Sequence, residues 1–261
     1  MKELIIIIFA IIIYLIMFDN NYENFTNKEP KIIILIISSN NIEFYKNMRE
    51  IWKKYMNNHS NITSFFIEND PLIDKEIIVD KKNNTIFYKD QESYVPGILN
   101  KTIKIIEFLI KNYDFDYIYR TNLSSVINLD KLYSYIQNNN VDYAGHDYIK
   151  FISGSGIILS KKTCNILIKD ESLINNNNPD DYAIGLKLEN LVEKKHIEYY
   201  GVSGLDDKIL NNDDPNRAST NVDEINKINS NIFQFRCRFA NEHDNTAQVM
   251  EKVFRKIYLD K

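Results

Sequence analysis

The chain has 261 residues, 44% of them hydrophobic, and a formal net charge of −4. That length buries one sizeable core, and the absence of a basic stripe argues against nucleic acid as a partner. Two cysteines, Cys164 and Cys237, are too few for a disulfide framework and lack metal-ligand spacing, and the sequence leaves open whether they bridge.

Residues 4–18 are an unbroken apolar run behind Lys2 and Glu3. As a helix the run rises ~22 Å, short of the ~30 Å hydrocarbon core, which suits a signal-peptide core or a short anchor. No small-x-small cleavage pattern follows. The expectation is therefore a signal anchor over 1–18 with a lumenal body, a single-pass type II protein of the secretory pathway, or a secreted protein if the segment is cleaved. Residues 19–30 read as a short polar stem, and 31–261 as the body.

Within the body, the apolar run 31–38 predicts a central parallel strand. Ile42, Tyr45, Met48, Trp52 and Met56 then recur at helical spacing. Further strands are predicted at 63–68 and 85–89. Pro96 opens a predicted helix over 97–112, and 116–120 is a strand ending in the polar turn 121–125. A helix over 129–137, a short strand over 141–145 and a glycine-broken strand over 151–160 follow. Asp180 and Asp181 then begin a short helix. Strands are predicted over 197–202 and 232–239, a polar acidic loop over 206–231, and a closing amphipathic helix over 245–259. Strand–helix alternation predicts a single α/β domain with a mainly parallel central sheet flanked by helices.

In such sheets ligands lie beyond the carboxyl ends of the strands. That rule directs attention to Ser38 and Ser39, to Arg120 through Ser124, and to the segments around Gly154 and Asp181. Gly154 and Gly156 interrupt an apolar strand where a backbone must approach something closely, or where the strand simply packs tightly. Two acids at a helix start suit either a proton acceptor or an N-cap. The four histidines are scattered without ligand spacing, and neither a Gly-x-Ser-x-Gly elbow nor a phosphate-binding Gly-Lys loop is present.

Four blocks in order resemble the inverting glycosyltransferases of the β-1,3-galactosyltransferase and Fringe group (glycosyltransferase family 31, GT-A fold). Met48-Arg49-Glu50-Ile51-Trp52 resembles the family's Ile-Arg-x-Thr-Trp helix. Glu92-Ser93-Tyr94 with Lys101-Thr102 resembles its Asp-Ser-Tyr block and the Lys-Thr that follows. Residues 151–160 resemble its Tyr-x-x-Gly-x-Gly-Tyr-x-x-Ser strand, and 180–185 its Glu-Asp-Val-x-x-Gly block. The likeness spans roughly 31–190.

The resemblance implies a GT-A, Rossmann-like domain that transfers a sugar from a nucleotide-sugar donor to an acceptor hydroxyl on a glycan, protein or lipid. It implies Asp181 as general base, with Asp180 the near alternative. It also implies donor contacts from Ser38, Ser39, Arg49, Lys101, Arg120, Asn122 and Ser124, and sugar contacts from Gly154, Ser155 and Gly156. For Arg49 a scaffold role, and for Lys101 a solvated helix face, stay open. The family's cofactor is Mn2+ or Mg2+, held by a Lys-x-Asp-Asp-Asp motif. Here the motif reads Arg120-Thr121-Asn122-Leu123-Ser124, which supplies oxygens without charge where hard cations want carboxylates. Two outcomes are open: neutralisation of the leaving diphosphate by Arg120, Arg236 and Arg238, or a catalytically inactive fold that binds a glycan or protein partner.

Overall fold

A computed structural model describes residues 29–39, 43–203, 219–221, 232–237 and 243–260. The predicted anchor over 1–18, the stem up to residue 28, most of the acidic loop over 206–231, and Arg238 lie outside the described residues. Among the described residues, no helix is long and apolar enough to cross a membrane. Residues 31–261 form one unit, and everything below concerns it.

The apolar run near the start becomes β1 (Ile32–Ile37), the middle of an eight-stranded sheet. It pairs in parallel with β2 (Ile62–Asn69) on one side and β5 (Tyr117–Asn122) on the other. Its side chains alternate between faces, as a strand's must. Ile32, Ile34 and Ile36 enter a core with Met48 and Trp52 of α1 (Glu43–Lys53) and with Val253 and Phe254 of α6 (His243–Tyr258). Ile33 and Leu35 enter a second core with Ile105 and Leu109 of α2 (Gly97–Asn112). Burial on both faces explains the continuous hydrophobicity of this strand, and the result is the predicted helix–sheet–helix layering.

β3 (Ile77–Asp80) and β4 (Thr85–Tyr88) extend the sheet beyond β2, with β4 parallel to β2 and β3 antiparallel to β4. On the other side the order beyond β5 is β8 (Phe151–Ser160), β7 (Tyr143–Tyr148) and β9 (Lys194–His196). β8 runs antiparallel to both β5 and β7. This reversal matters, because it brings the amino-terminal half of β8 to the edge where β1 and β5 end.

The turn predicted over 121–125 is shorter than expected. β5 runs to Asn122 and β6 (Ser125–Ile127) starts three residues later. β6 belongs to a second, four-stranded sheet in the order β11 (Ser219–Asn221), β10 (Tyr200–Ser203), β12 (Gln234–Arg236), β6. α3 (Leu129–Asn138) follows β6, capped by Asn128, whose side chain accepts from Lys131 N. α4 (Lys161–Leu167) and α5 (Asp180–Leu188) are the remaining α-helices among the described residues. Cys164 and Cys237 are both free and buried, and burial pushes both thiols far above their ordinary pKa, which leaves them unreactive.

Candidate active site

Register places the ends of four strands at one edge. Ile37 pairs with Asn122, so Ser38-Ser39 and Leu123-Ser124 leave the sheet side by side. Thr121 pairs with Gly156, which sets Gly154 and Ser155 beyond that same edge. Arg236 pairs with Ser125 across the second sheet, and Cys237 N donates to Ser124 O at 2.8 Å. Arg236 therefore stands against the Asn122–Ser124 turn. The amino terminus of α5 closes the arrangement with Asp180 and Asp181 in its first turn. Together these segments line a cleft of about 970 Å³, within the range of small-molecule sites.

One polar cluster forms the wall. Arg120 is buried, with one guanidinium nitrogen donating to Gly154 O and the other to the Asp180 carboxylate; its Nε has no hydrogen-bond partner. Burial pushes the Asp180 carboxyl up from the ordinary carboxylate value, against the opposing pull of Arg120. Gly154 serves the cluster with both edges of its backbone, since its N–H donates to Asp181 Oδ2 at 2.8 Å. The other oxygen of Asp181 accepts from Tyr182 N at 2.9 Å. A Cβ on residue 154 would lie 2.6 Å from Arg120 Nη1 and 3.0 Å from Asp181 Oδ2. Only glycine allows cation and acid to approach that backbone together.

A second network stands behind the cleft. Lys101 is fully buried, and its ammonium donates to Ser38 O at 3.0 Å and to Glu92 at 2.7 and 3.0 Å. Burial lowers its pKa, while the Glu92 charge opposes the shift. Arg49 donates to Ser38 Oγ at 3.1 Å and to Thr85 Oγ1 at 3.0 Å, pairs with Glu68, and lies over the Phe66 ring at 4.2 Å. Ser38 Oγ in turn donates to Glu68 at 2.7 Å. Arg49 and Lys101 thus orient Ser38 and Glu92 from the rear, and neither lines the cleft.

The structure brings Ser38, Ser39, Arg120, Asn122, Ser124, Gly154, Ser155, Asp180 and Asp181 to a single cleft. Gly156 lies beneath the floor, where a Cβ would strike the Gln234 side chain at 2.2 Å and the Tyr119 hydroxyl at 2.3 Å. Sequence reasoning overlooked Glu92, Tyr94, Tyr148, Phe151, Tyr182 and Tyr199 as cleft-lining groups. With 17 tyrosines and 14 phenylalanines in the chain, aromatic content alone singles out none of them.

The turn that replaces the acidic motif is occupied with its own hydrogen bonds. Asn122 Oδ1 already accepts from Ser124 Oγ and Ser125 Oγ, each at 3.1 Å. Among the described residues, no group of three or more His, Cys, Asp or Glu could hold a metal ion. The nearby carboxylates are engaged by Arg120, by Lys101 and by backbone N–H groups. Hard cations prefer charged oxygens, and the 122–124 turn supplies none of them for Mn2+ or Mg2+.

No family model matches the chain, and no curated protein matches it in sequence. Among solved structures the chain is similar to a glycosyltransferase involved in the glycosylation of the major capsid of PBCV-1. The two are 12% identical, with 85% of this chain and 99% of that one covered, at a TM-score of 0.50. That likeness is one of fold, an α/β domain with a large, mainly parallel central sheet flanked by helices. The galactosyltransferase LgtC, in complex with donor and acceptor sugar analogues, aligns at 9% identity over 86% of this chain and 95% of its own, at a TM-score of 0.48. The glycosyltransferase GlyE of Streptococcus pneumoniae TIGR4 aligns at 11% over 66% of this chain and 46% of its own, at 0.40. Only the first of these likenesses speaks to the fold, and to the fold alone; the likeness to the Fringe group rests on the sequence blocks.

Proposed function

We propose that the protein is a nucleotide-sugar-dependent glycosyltransferase that inverts the transferred centre, with Asp181 as general base. The observation that carries the proposal is the placement of Asp181. Two backbone N–H groups aim its carboxylate at a cleft whose other wall is built from the carboxyl ends of β1 and β5, the location expected for ligands in such sheets. The donor diphosphate would lie along Ser38, Ser39 and the Asn122–Ser124 turn. Asp181 would take the proton of an acceptor hydroxyl as that oxygen bonds to the anomeric carbon. The bond from that carbon to the diphosphate breaks on the opposite side, and its electron pair leaves with the nucleoside diphosphate.

Charge at the leaving group is the other requirement. Arg236 faces the turn from β12, and Arg120 stands at its base. Guanidinium forks suit phosphate oxygens, so transfer would proceed with these side chains serving where the related family uses a cation. In the same proposal, residues 1–18 tether the enzyme to a secretory-pathway membrane.

A second reading is a catalytically silent member that retains the fold to bind a glycan or partner. It is favoured by the two hydrogen bonds that Asp181 already accepts, as a structural N-terminal acid would. A screen of nucleotide sugars for turnover, with manganese and with a chelator, separates the two readings. Turnover that survives the chelator and falls by about 10²–10⁴-fold in Asp181→Asn is the expected result. Unchanged rates in Asp181→Asn would remove Asp181 from the chemistry. Absence of turnover and of uridine diphosphate binding under both conditions would favour the silent binder.

A further inference from the structure

The stretch of β8 beside Asp181 is held by side chains rather than by neighbouring strands. The ladder with β5 ends at the Thr121–Gly156 pair. The register with β7 breaks between the Gly145–Ile157 and Asp147–Ile152 pairs. Among the described residues, Ser153, Gly154 and Ser155 therefore have no paired residue on either side. Backbone groups away from water need partners, and side chains supply them here. Arg120 donates to Gly154 O, and Asp181 accepts from Gly154 N. Thr121 Oγ1 and Gln234 Nε2 donate to Ser155 O at 2.7 and 2.6 Å.

Gly154 is the weak point of that stretch. No Cβ fits between Arg120 and Asp181, yet glycine sets its own φ and ψ less than any other residue. Its N–H and its C=O belong to different peptide planes, so each end has to be held from outside. Arg120 holds the carbonyl end with one arm of its fork, and Asp180 holds Arg120 by the other. Both side chains are nearly buried. The remaining end is the N–H that donates to Asp181 Oδ2.

From this geometry we propose that Arg120 and Asp180 are positioning residues, a clamp on Gly154 that fixes its N–H and, through it, the Asp181 carboxylate at the cleft. The proposal rests on the glycosyltransferase reading, in which Asp181 is the base. It assigns Asp180 to holding Arg120 rather than to proton transfer, and it gives Arg120 a duty apart from charge at the leaving group. Both Asp181 oxygens keep lone pairs for an acceptor hydroxyl, so the clamp aims the acid without occupying it. Aim matters, because a misplacement of ~1 Å at a reacting group costs about 10²-fold in rate.

The test pairs hydrogen exchange of the Gly154 amide with turnover of a panel of uridine- and guanosine-diphosphate sugars. Exchange is read by NMR on the full chain carrying isotope-labelled glycine. Arg120→Lys keeps the positive charge and loses the rigid fork. Arg120→Met/Asp180→Leu removes the clamp while replacing both members of the buried pair, so the fold is retained. In both variants the Gly154 amide should exchange about tenfold faster, with the other glycine amides unchanged as the check on global stability. Turnover should fall about 10²-fold in kcat, with a smaller change in donor KM. Parental Gly154 exchange in both variants would overturn the clamp, whatever happens to turnover. Faster exchange with parental kcat would overturn its duty towards Asp181. Faster exchange in a chain whose parent turns over none of the donors would uphold the clamp and overturn the glycosyltransferase reading beneath it.

Discussion

Removing the Asp180 carboxylate should destabilise the protein far more than removing both members of its pair. Arg120 and Asp180 expose only 5% and 7% of their side chains, so Asp180→Leu leaves a nearly buried guanidinium without its carboxylate. Breaking a buried pair from one side costs about 3–5 kcal/mol, whereas replacing both partners by apolar groups of similar volume is often neutral or stabilising. For a unit of this size, each kcal/mol shifts the melting temperature by about 2–4 °C. The single variant should therefore melt about 6–20 °C lower, and Arg120→Met/Asp180→Leu should recover most of that loss. Urea unfolding of the parent, both singles and the double measures the cycle, with unchanged m-values as the check that the same transition is followed. A cost below about 1 kcal/mol for Asp180→Leu, or additive effects in the double, would refute a buried, coupled pair. The double variant should also lose the Arg120 contact to Gly154 O, so it separates stability from any role of Arg120 at the donor.

The same pair gives a pH signature. Burial holds the folded Asp180 pKa above its unfolded value of about 3.9, so the native state keeps a proton that the unfolded chain has released. Its contribution to stability is full below that unfolded value and falls as pH rises through the folded one. The parent minus Asp180→Asn stability difference should therefore decline upward from about pH 4, and a rising difference would contradict the dominance of burial. Gly154→Ala must push Arg120 Nη1 or Asp181 Oδ2 out of place; we expect a cost of about 1–3 kcal/mol and at least a tenfold loss of turnover, with a crystal structure of the variant showing which group moved. Lys101→Met should lower stability by about 1–3 kcal/mol by removing the charged hydrogen bonds to Glu92 and Ser38 O, and should loosen Ser38, read as weaker nucleotide binding in calorimetry. Lys101→Met with parental stability would show that the ammonium is not needed to hold Glu92 and Ser38.

Several elements were legible because local physics decides them. The run Ile32–Ile37 must be a strand buried on both faces. The 97–112 helix was found at both ends because Pro96 precedes it and its apolar residues keep helical spacing. The hairpin joining β7 and β8 left no such trace. Its two-residue turn is Ile149-Lys150, with Ile149 at φ 41°, where Asn-Gly is the usual signal. Without that signal, the reversal that makes β8 antiparallel could not be read, and neither could the place of Tyr148 and Phe151 on the cleft. Lys101 looked like a solvated helix residue or a phosphate ligand because its partner Glu92 lies on a preceding loop, and no pattern of spacing reports that a lysine is buried.

By itself, the sequence determined the layers, the order of most strands and helices, and the set of segments that reach one edge of the sheet, since periodicity and turn chemistry act over a few residues. Only the tertiary structure decided how those residues divide their work. Arg120 and Asp180 are 60 positions apart and share one buried bond, while Asp181, next in sequence to Asp180, faces the cleft. Which acid is neutralised and which is presented depends on which side of α5 meets the Gly154 backbone, a choice made by long-range packing.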